Sequence, residues 1–303
     1  MLTIIDTDPG IDDALALLLA WGSAGMRVDL LTTVAGNVPL TAATVNALRL
    51  VAARRPALAP RIAAGADRPL VRPLWTATKY HGADGLGDLH DWPAVHPDVV
   101  PHDAIPALLD AAHRHGPELT LIALGPLTNV ALALRTNAVA LSHVSRVVVM
   151  GGAIDVAGNV TPNAEFNVYV DPEAAREVFA SGLPIDLVPL DATRQAILPR
   201  AELEAALART PGPLASRIAA FTERGFRVDT DRGSRGMVCH DPLAVGLAID
   251  PSMATWEPVR VEIGEGGQTR RAGGSPNCRF AKVIDADRFR AMLLARLCPA
   301  AGD

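Results

Sequence analysis

Residues 4–20, IIDTDPGIDDALALLLA, set Asp6, Asp8, Asp12 and Asp13 within eight positions of one another. Carboxylates this dense repel, and burying them is costly unless something compensates. Pro9 and Gly10 predict a tight turn after an apolar run. Asp12 and Asp13 then fall in the first turn of a helix, where backbone N–H groups and the dipole favour negative charge. An N-cap with solvated first-turn acids accounts for one or two aspartates, not four. A shared hard cation accounts for them all. Asp8 in the turn and Asp13 on the helix are placed to bind it together. All-oxygen ligation suggests calcium or magnesium rather than zinc.

Further polar clusters carry chemistry with less force. MGGAIDVAGNVTPNAEFNVYVDPEAA, residues 150–175, reads as a loop because Gly151, Gly152 and Gly158 loosen it. Its Asn159, Glu165 and Asn167 offer the amide and carboxylate groups that bind sugar hydroxyls, or simply make a polar surface loop. CHDPLAV, residues 239–245, pairs His240 with Asp241 at the start of a helix. Locally that is a capping Asp with a surface His; in a site, Asp241 becomes a metal ligand and His240 an acid/base group. KYHGADGLGD, residues 79–88, carries His81 in a glycine-rich loop without phosphate-loop spacing. In LGPLTNV, residues 124–130, Thr128 and Asn129 read as structural, while a backbone carbonyl at the strand end is free to face a metal. Asn37, in VAGNV, stands just past a second strand, where a ligand-facing amide would be.

The elements that must position these groups follow from periodicity. LTIID, VDLLTTVAG, LTLIAL, RVVVM and IDLVPL are apolar runs of strand length. They alternate with helical patterns, among them about 12–21, 40–54, LTNVALALR and the segment opening at DPEAAREVF. Such alternation predicts an α/β fold: an open, mostly parallel central sheet flanked by helices. VRVEI and RFAKVID read as late strands and ADRFRAMLLARL as a last helix. Without a linker or composition break, residues 1–303 read as a single domain, with a mostly helical cap or insertion at about 200–250. Ligands of open α/β sheets bind at the carboxyl ends of the strands. The clusters after the strands, at 6–13, 35–37, 124–129, 150–167 and Asp191, are therefore expected on one rim.

Composition narrows the classes. A net charge of −5, with no basic stripe, argues against a general nucleic-acid binder. Cys239, Cys278 and Cys298 are three and far apart, which fits a reducing cytosol better than a disulfide framework or a CxxC zinc site. The N-terminus lacks a basic n-region and meets acids at once, unlike a signal peptide. ALALLLA is too short to span a bilayer. A cytoplasmic protein without membrane or nucleic-acid partners is the expectation.

Read together, DTDPGIDDA, GxDGLG, GPLTN, MGG, NAEFN, DPEAA and HDP resemble, in content and order, the nucleoside hydrolase family of the inosine/uridine-preferring type. The match runs from the N-terminus to about Ala244. The resemblance implies a calcium-binding α/β hydrolase that cleaves the N-glycosidic bond of ribonucleosides to ribose and a free purine or pyrimidine base. It implies a small-molecule substrate, a homodimer or homotetramer, and a place in base salvage. By position, Asp8 resembles the general base and a calcium ligand, with Asp13, Asp241 and the Leu124 carbonyl as further ligands. Asp12, Asn37, Asn159, Glu165 and Asn167 would hold the ribose, with Met150 beside it. His240 resembles the acid for the leaving base, His81 a loop histidine near that base, and Asp6 a support behind the ligands. The spacing from Met150 to Asn159 is a residue longer than in some relatives, and no tyrosine in FTERGFRVDTDRG stands ready to cover the base.

Three other readings compete. A haloacid-dehalogenase-like phosphatase also carries DxD after its first strand, but Gly10 stands where Thr or Val is usual, and neither Lys79 nor Lys282 has a matching context. A nucleoside-binding protein without catalysis is argued against by the intact acidic set. A phosphorolytic enzyme would need a phosphate loop or clustered arginines at the strand ends.

Overall fold

A computed structural model describes residues 1–297. Cys298 lies outside the described residues; Cys239 and Cys278 are buried free thiols. The strands are β1 (Leu2–Thr7), β2 (Arg27–Thr33), β3 (Arg61–Ala64), β4 (Leu119–Ala123), β5 (Arg146–Met150), β6 (Ile185–Val188), β7 (Ile197–Leu198), β8 (Met237–Val238), β9 (Ala254–Ile263), β10 (Thr269–Ala272) and β11 (Cys278–Ile284). The helices are α1 (Ile11–Trp21), α2 (Leu40–Arg54), α3 (Thr78–His81), α4 (Ala104–His115), α5 (Thr128–Leu141), α6 (Phe166–Val170), α7 (Pro172–Ala180), α8 (Leu190–Thr193), α9 (Arg200–Arg209), α10 (Pro213–Asp231), α11 (His240–Ile249) and α12 (Ala286–Leu297).

Nine strands form one sheet in the order β10-β9-β11-β6-β5-β4-β1-β2-β3. From β3 to β11 every neighbour pair is parallel. The expected open, mostly parallel sheet is what the chain builds. Burial explains the strand type: every residue of β4 is buried, as a strand covered on both faces must be. The edge differs. β9 runs antiparallel to β11, and β10 antiparallel to β9. The last part of β9 alternates, with Val259, Val261 and Ile263 buried and their neighbours more open, as suits an edge with one covered face.

Helices cover both faces. One apolar core gathers α1, α10, α11 and α12. The other gathers α4, α5 and α7. Ten of the eleven residues of α1 are buried, so this helix is enclosed rather than amphipathic. The segment at about 200–250 holds α9, α10, β8 and α11; it is mostly helical, and β8 pairs with β7 in a small separate ribbon. No helix among the described residues is long and apolar enough to cross a membrane.

The topology marks the ligand position. From β1 the chain moves outward through β2 to β3, then crosses back to β4 on the other side of β1 and continues to β5 and β6. The crevice beyond the carboxyl ends of β1 and β4 is thus the switch point where ligands of such sheets lie. Residues 6–13 leave β1 there, and Leu124 leaves β4, tied by its N–H to the Asp6 carbonyl at 2.8 Å.

Candidate functional site

The turn after β1 is shaped by close approaches that only glycine permits. A Cβ on Gly36 would lie 2.1 Å from Asp8 Oδ2, and one on Gly125 would lie 2.6 Å from Asp8 Oδ1. Bare backbone from the ends of β2 and β4 therefore brackets the Asp8 carboxylate. Asp8 Oδ2 accepts the Asn37 backbone N–H at 2.6 Å. Asp8 Oδ1 is buried and has no hydrogen-bond partner. Asp13 accepts from the Thr7 hydroxyl at 2.5 Å, the Gly10 N–H at 2.9 Å and Asn37 Nδ2 at 3.0 Å. Asn37 thus ties Asp8 to Asp13. Carboxylate oxygens of Asp12, Asp13 and Asp241 lie within 4.8 Å of one another, all three residues buried.

None of these four aspartates pairs with Lys or Arg among the described residues. Their protonation reflects that. Burial, then repulsion from Asp13, holds the Asp8 carboxyl well above the usual range. Burial and Asp13 push Asp12 up to about 8. Burial, then repulsion from Asp12, holds the Asp241 carboxyl well above the usual range. Crowded buried carboxylates with a partnerless oxygen and no counter-ion side chain fit a hard metal cation, which would relieve both desolvation and repulsion.

Behind the cluster, Asp6 accepts from the Thr32 hydroxyl and from Asn129 Nδ2, the latter at 2.7 Å. Burial raises its carboxyl to about 6. Asn129 also takes the Ala66 N–H at 2.8 Å. Thr128 donates to Asp171 at 2.7 Å. Both residues serve the framework, as their place after β4 suggested.

A cavity of about 530 Å³ opens over the cluster. Asp12, Asn37, His81, Leu124, Met150, Asn159, Glu165, Asn167, His240 and Asp241 all line it, whereas Asp8 and Asp13 lie outside its lining. The groups on the β5 side are held by backbone. Glu165 caps α6, taking N–H groups of Asn167, Gly152 and Val168. Burial raises its carboxyl and these amides oppose the rise. Asn167 Nδ2 donates to the Leu124 carbonyl at 2.6 Å, which leaves that oxygen a second lone pair. Asn159 Oδ1 accepts the Phe166 N–H at 2.9 Å. Asp191 departs from the expected rim: its two oxygens take the N–H groups of Ile154 and Asp155, so it anchors the loop after β5 instead of lining the cavity.

Two imidazoles also line the cavity. His81 Nδ1 accepts the Ile11 N–H, the first of α1, at 3.0 Å. This requires an unprotonated Nδ1, which in the neutral ring leaves the proton on Nε2. A Cβ on Gly10 would lie 2.4 Å from that same Nδ1, so Gly10 is what lets the ring reach α1. Burial pushes His81 down to about 3 and His240 down to about 4. His240 Nδ1 shares a 2.8 Å hydrogen bond with the Thr193 hydroxyl.

Trp75, Tyr80, Phe166 and Arg232 also line the cavity, and sequence reading assigned none of them to the site. Tyr80 stands edge-on to His81 with centroids 4.8 Å apart, and its hydroxyl donates to Asp229 at 2.8 Å. The tyrosine that FTERGFRVDTDRG lacks thus stands in α3 instead. Its one sequence signal was adjacency to His81.

Fold and site together define an α/β protein whose cavity, at the carboxyl ends of the parallel strands, is lined by carboxylates, amides and two imidazoles. The family profile described as inosine-uridine preferring nucleoside hydrolase matches residues 3–291, well past Ala244. The inosine-uridine preferring nucleoside hydrolase of Leishmania major is 36% identical over 307 residues, covering 97% of this chain and 96% of that protein. The non-specific ribonucleoside hydrolase RihC of Klebsiella pneumoniae subsp. pneumoniae is 36% identical over 299 residues, 95% of each chain. The solved structure of a plant nucleoside hydrolase, the PpNRh1 enzyme, superposes with a TM-score of 0.90 at 32% identity, covering 98% of this chain and 99% of that one. The chain belongs to the inosine-uridine preferring nucleoside hydrolase family, a family of N-ribohydrolases.

Proposed function

We propose that this chain hydrolyses ribonucleosides to ribose and free base in a calcium-dependent reaction, as one catalytic unit with the α9–α10 region capping the base end. The observation that carries the reading is the buried, partnerless Asp8 Oδ1 beside the converging carboxylates of Asp12, Asp13 and Asp241. Asp8, Asp13, Asp241 and the Leu124 carbonyl are the ligands that would hold the ion, and their all-oxygen character favours calcium over zinc. A bound calcium would neutralise the cluster and orient the attacking water.

Cleavage of a glycosidic bond passes through an oxocarbenium-like state. Asp8 takes the proton of the attacking water, since its Oδ1 is buried with no donor engaged. Asp12, Asn37, Asn159, Glu165 and Asn167 grip the ribose hydroxyls, with Met150 beside the ring. Their contacts tighten as positive charge builds on the sugar, and the carboxylates stabilise that charge directly. At the other end, His240, once it has taken up a proton from solvent in the substrate complex, passes that proton to the departing base, and His81 presents its Nε2–H toward it. Both imidazoles are neutral near pH 7 in the free protein, because burial depresses them.

The relatives named above differ in the substrates their names state, so the pattern of preference is read by assay. Inosine, adenosine, guanosine, uridine and cytidine are incubated without phosphate, with calcium and then with excess chelator, and ribose and base are both quantified. Chelator-sensitive release of both is the expected result. Release that requires phosphate, or none from any nucleoside by a calcium-loaded protein, would overturn the reading. The resemblance further implies a homodimer or homotetramer in the cytoplasm, and light scattering measures the first.

A further inference from the structure

One wall of the cavity is a run of consecutive residues, 74–81, ending in the single-turn helix α3. An isolated turn of helix has no stability of its own. The segment after it offers little help. Gly82, Gly85 and Gly87 all have positive φ, and so does Asp88 at +61°. Such a chain loses much backbone freedom when it is held in one shape. Something outside it has to set its position.

Several groups share that task, and one side chain takes most of the α3 carbonyls. Arg224, in the middle of α10, donates from Nε to the Tyr80 carbonyl at 3.1 Å. From one terminal nitrogen it reaches the Thr78 and Lys79 carbonyls at 3.4 and 3.2 Å, and from the other it reaches Asp88 Oδ2 at 3.1 Å. Among the described residues the Lys79 and Tyr80 carbonyls have no other donor. They are the unsatisfied C-terminal carbonyls of α3, where a cation is also favoured by the helix dipole. On the same helix Phe221 packs beneath the loop, with a Cβ on Gly87 only 3.0 Å from the Phe221 carbonyl, and Asp229 receives the Tyr80 hydroxyl. Positions 221 and 224 share a face of α10.

We propose that Arg224 is a positioning residue for nucleoside hydrolysis: its guanidinium cradles the carbonyls of Thr78, Lys79 and Tyr80 and thereby fixes His81 and Tyr80 at the base end of the cavity. This rests on the hydrolase reading above. The guanidinium fork reaches several acceptors at once, and a lysine ammonium at the end of a flexible stem does not reproduce that geometry. The clamp acts on the wall near the leaving base and leaves the ribose contacts and the carboxylate cluster untouched.

The test compares Arg224→Ala and Arg224→Lys with the unmodified protein on natural nucleosides and on 4-nitrophenyl riboside, whose leaving group departs without protonation. Hydrogen exchange of residues 78–88 is followed in parallel. Arg224→Ala should lower kcat/KM for nucleosides at least ten-fold more than for the nitrophenyl riboside, with Arg224→Lys between, and exchange in 78–88 should quicken. An equal loss on both substrate types, or nucleoside turnover within two-fold of the unmodified protein, overturns the proposal. Unchanged exchange in 78–88 overturns the clamp itself. If the unmodified protein releases no base from any nucleoside, the hydrolase reading fails, and the exchange result alone decides whether Arg224 holds the wall.

Discussion

At the scale of single residues, the site is governed by what Asp8 lacks. One oxygen accepts the Asn37 amide, and the other is buried with no donor at all. An unsatisfied buried carboxylate oxygen costs free energy unless a ligand uses it. Asp8→Asn keeps the shape and removes the charge and the basicity. It should lower kcat by about 10²- to 10⁴-fold, the range of a general base, while circular dichroism stays unchanged. Near-normal turnover would remove Asp8 from the mechanism. Gly36→Ala approaches the same group from outside. Its new Cβ would stand 2.1 Å from Asp8 Oδ2, so the carboxylate must shift. Calcium affinity, read by calorimetry, should fall together with turnover in that variant.

At the scale of elements, α1 and α3 are coupled through one hydrogen bond. The first N–H of α1 is an orphan of helix geometry, and His81 Nδ1 from the end of α3 accepts it. Gly10 makes the approach possible. Gly10→Ala would place a methyl 2.4 Å from the ring nitrogen and drive the imidazole away. The lost bond should lower nucleoside kcat/KM about ten-fold or more, the equivalent of one buried hydrogen bond. A steady-state comparison across nucleosides checks this, and an unchanged kcat/KM would show that His81 does not act from that position. At the other ends of the strands, Asp186 bridges Arg146 and Arg279, at 2.5 Å each, and so fastens β5 to β6 and β11. That fastening lies where β5, β6 and β11 begin, so it supports the scaffold rather than the chemistry.

At the scale of the whole molecule, the acidic cluster links stability to pH and, on the calcium reading proposed above, to metal. Asp6 and Asp12 are raised to about 6 and about 8 from a usual 3.8, and Asp8 and Asp241 rise well above it. These carboxyls hold protons more tightly folded than unfolded. Their contribution to stability is therefore full below about pH 4 and is lost as pH climbs through the folded values, up to about 8 for Asp12. The chelated protein should melt at least about 2 °C lower at pH 8 than at pH 6, and calcium should abolish or reverse that slope. Calorimetry at both pH values decides it. Calcium binding near pH 7 should also release protons, because the ligands must ionise to hold it. A chelated protein whose melting temperature rises from pH 6 to pH 8 would show that the cluster does not govern this linkage.

Local pattern was enough to reveal the alternation of buried strands and helices, because strand and helix periods are written in neighbouring residues. The aspartates around the first turn were legible for the same reason: four charges beside an apolar strand have no cheap explanation without a cation. The resemblance carried by DTDPGIDDA, NAEFN and HDP extended this to residues as distant as Glu165 and His240, which the fold indeed brings to one cavity. What periodicity could not contain was anything that depends on strands far apart in sequence becoming neighbours. The antiparallel edge of β9 and β10 is one such case, since order in a sheet is set by pairing across the whole chain. The withdrawal of Asp191 from the rim is another, decided by two amides of the loop after β5. The base-end wall is the clearest. Tyr80 and Arg224 are unremarkable where they stand in sequence, 144 positions apart. Only packing α10 against the 78–88 loop makes one the support of the other, because contact between them is a property of tertiary packing and not of spacing.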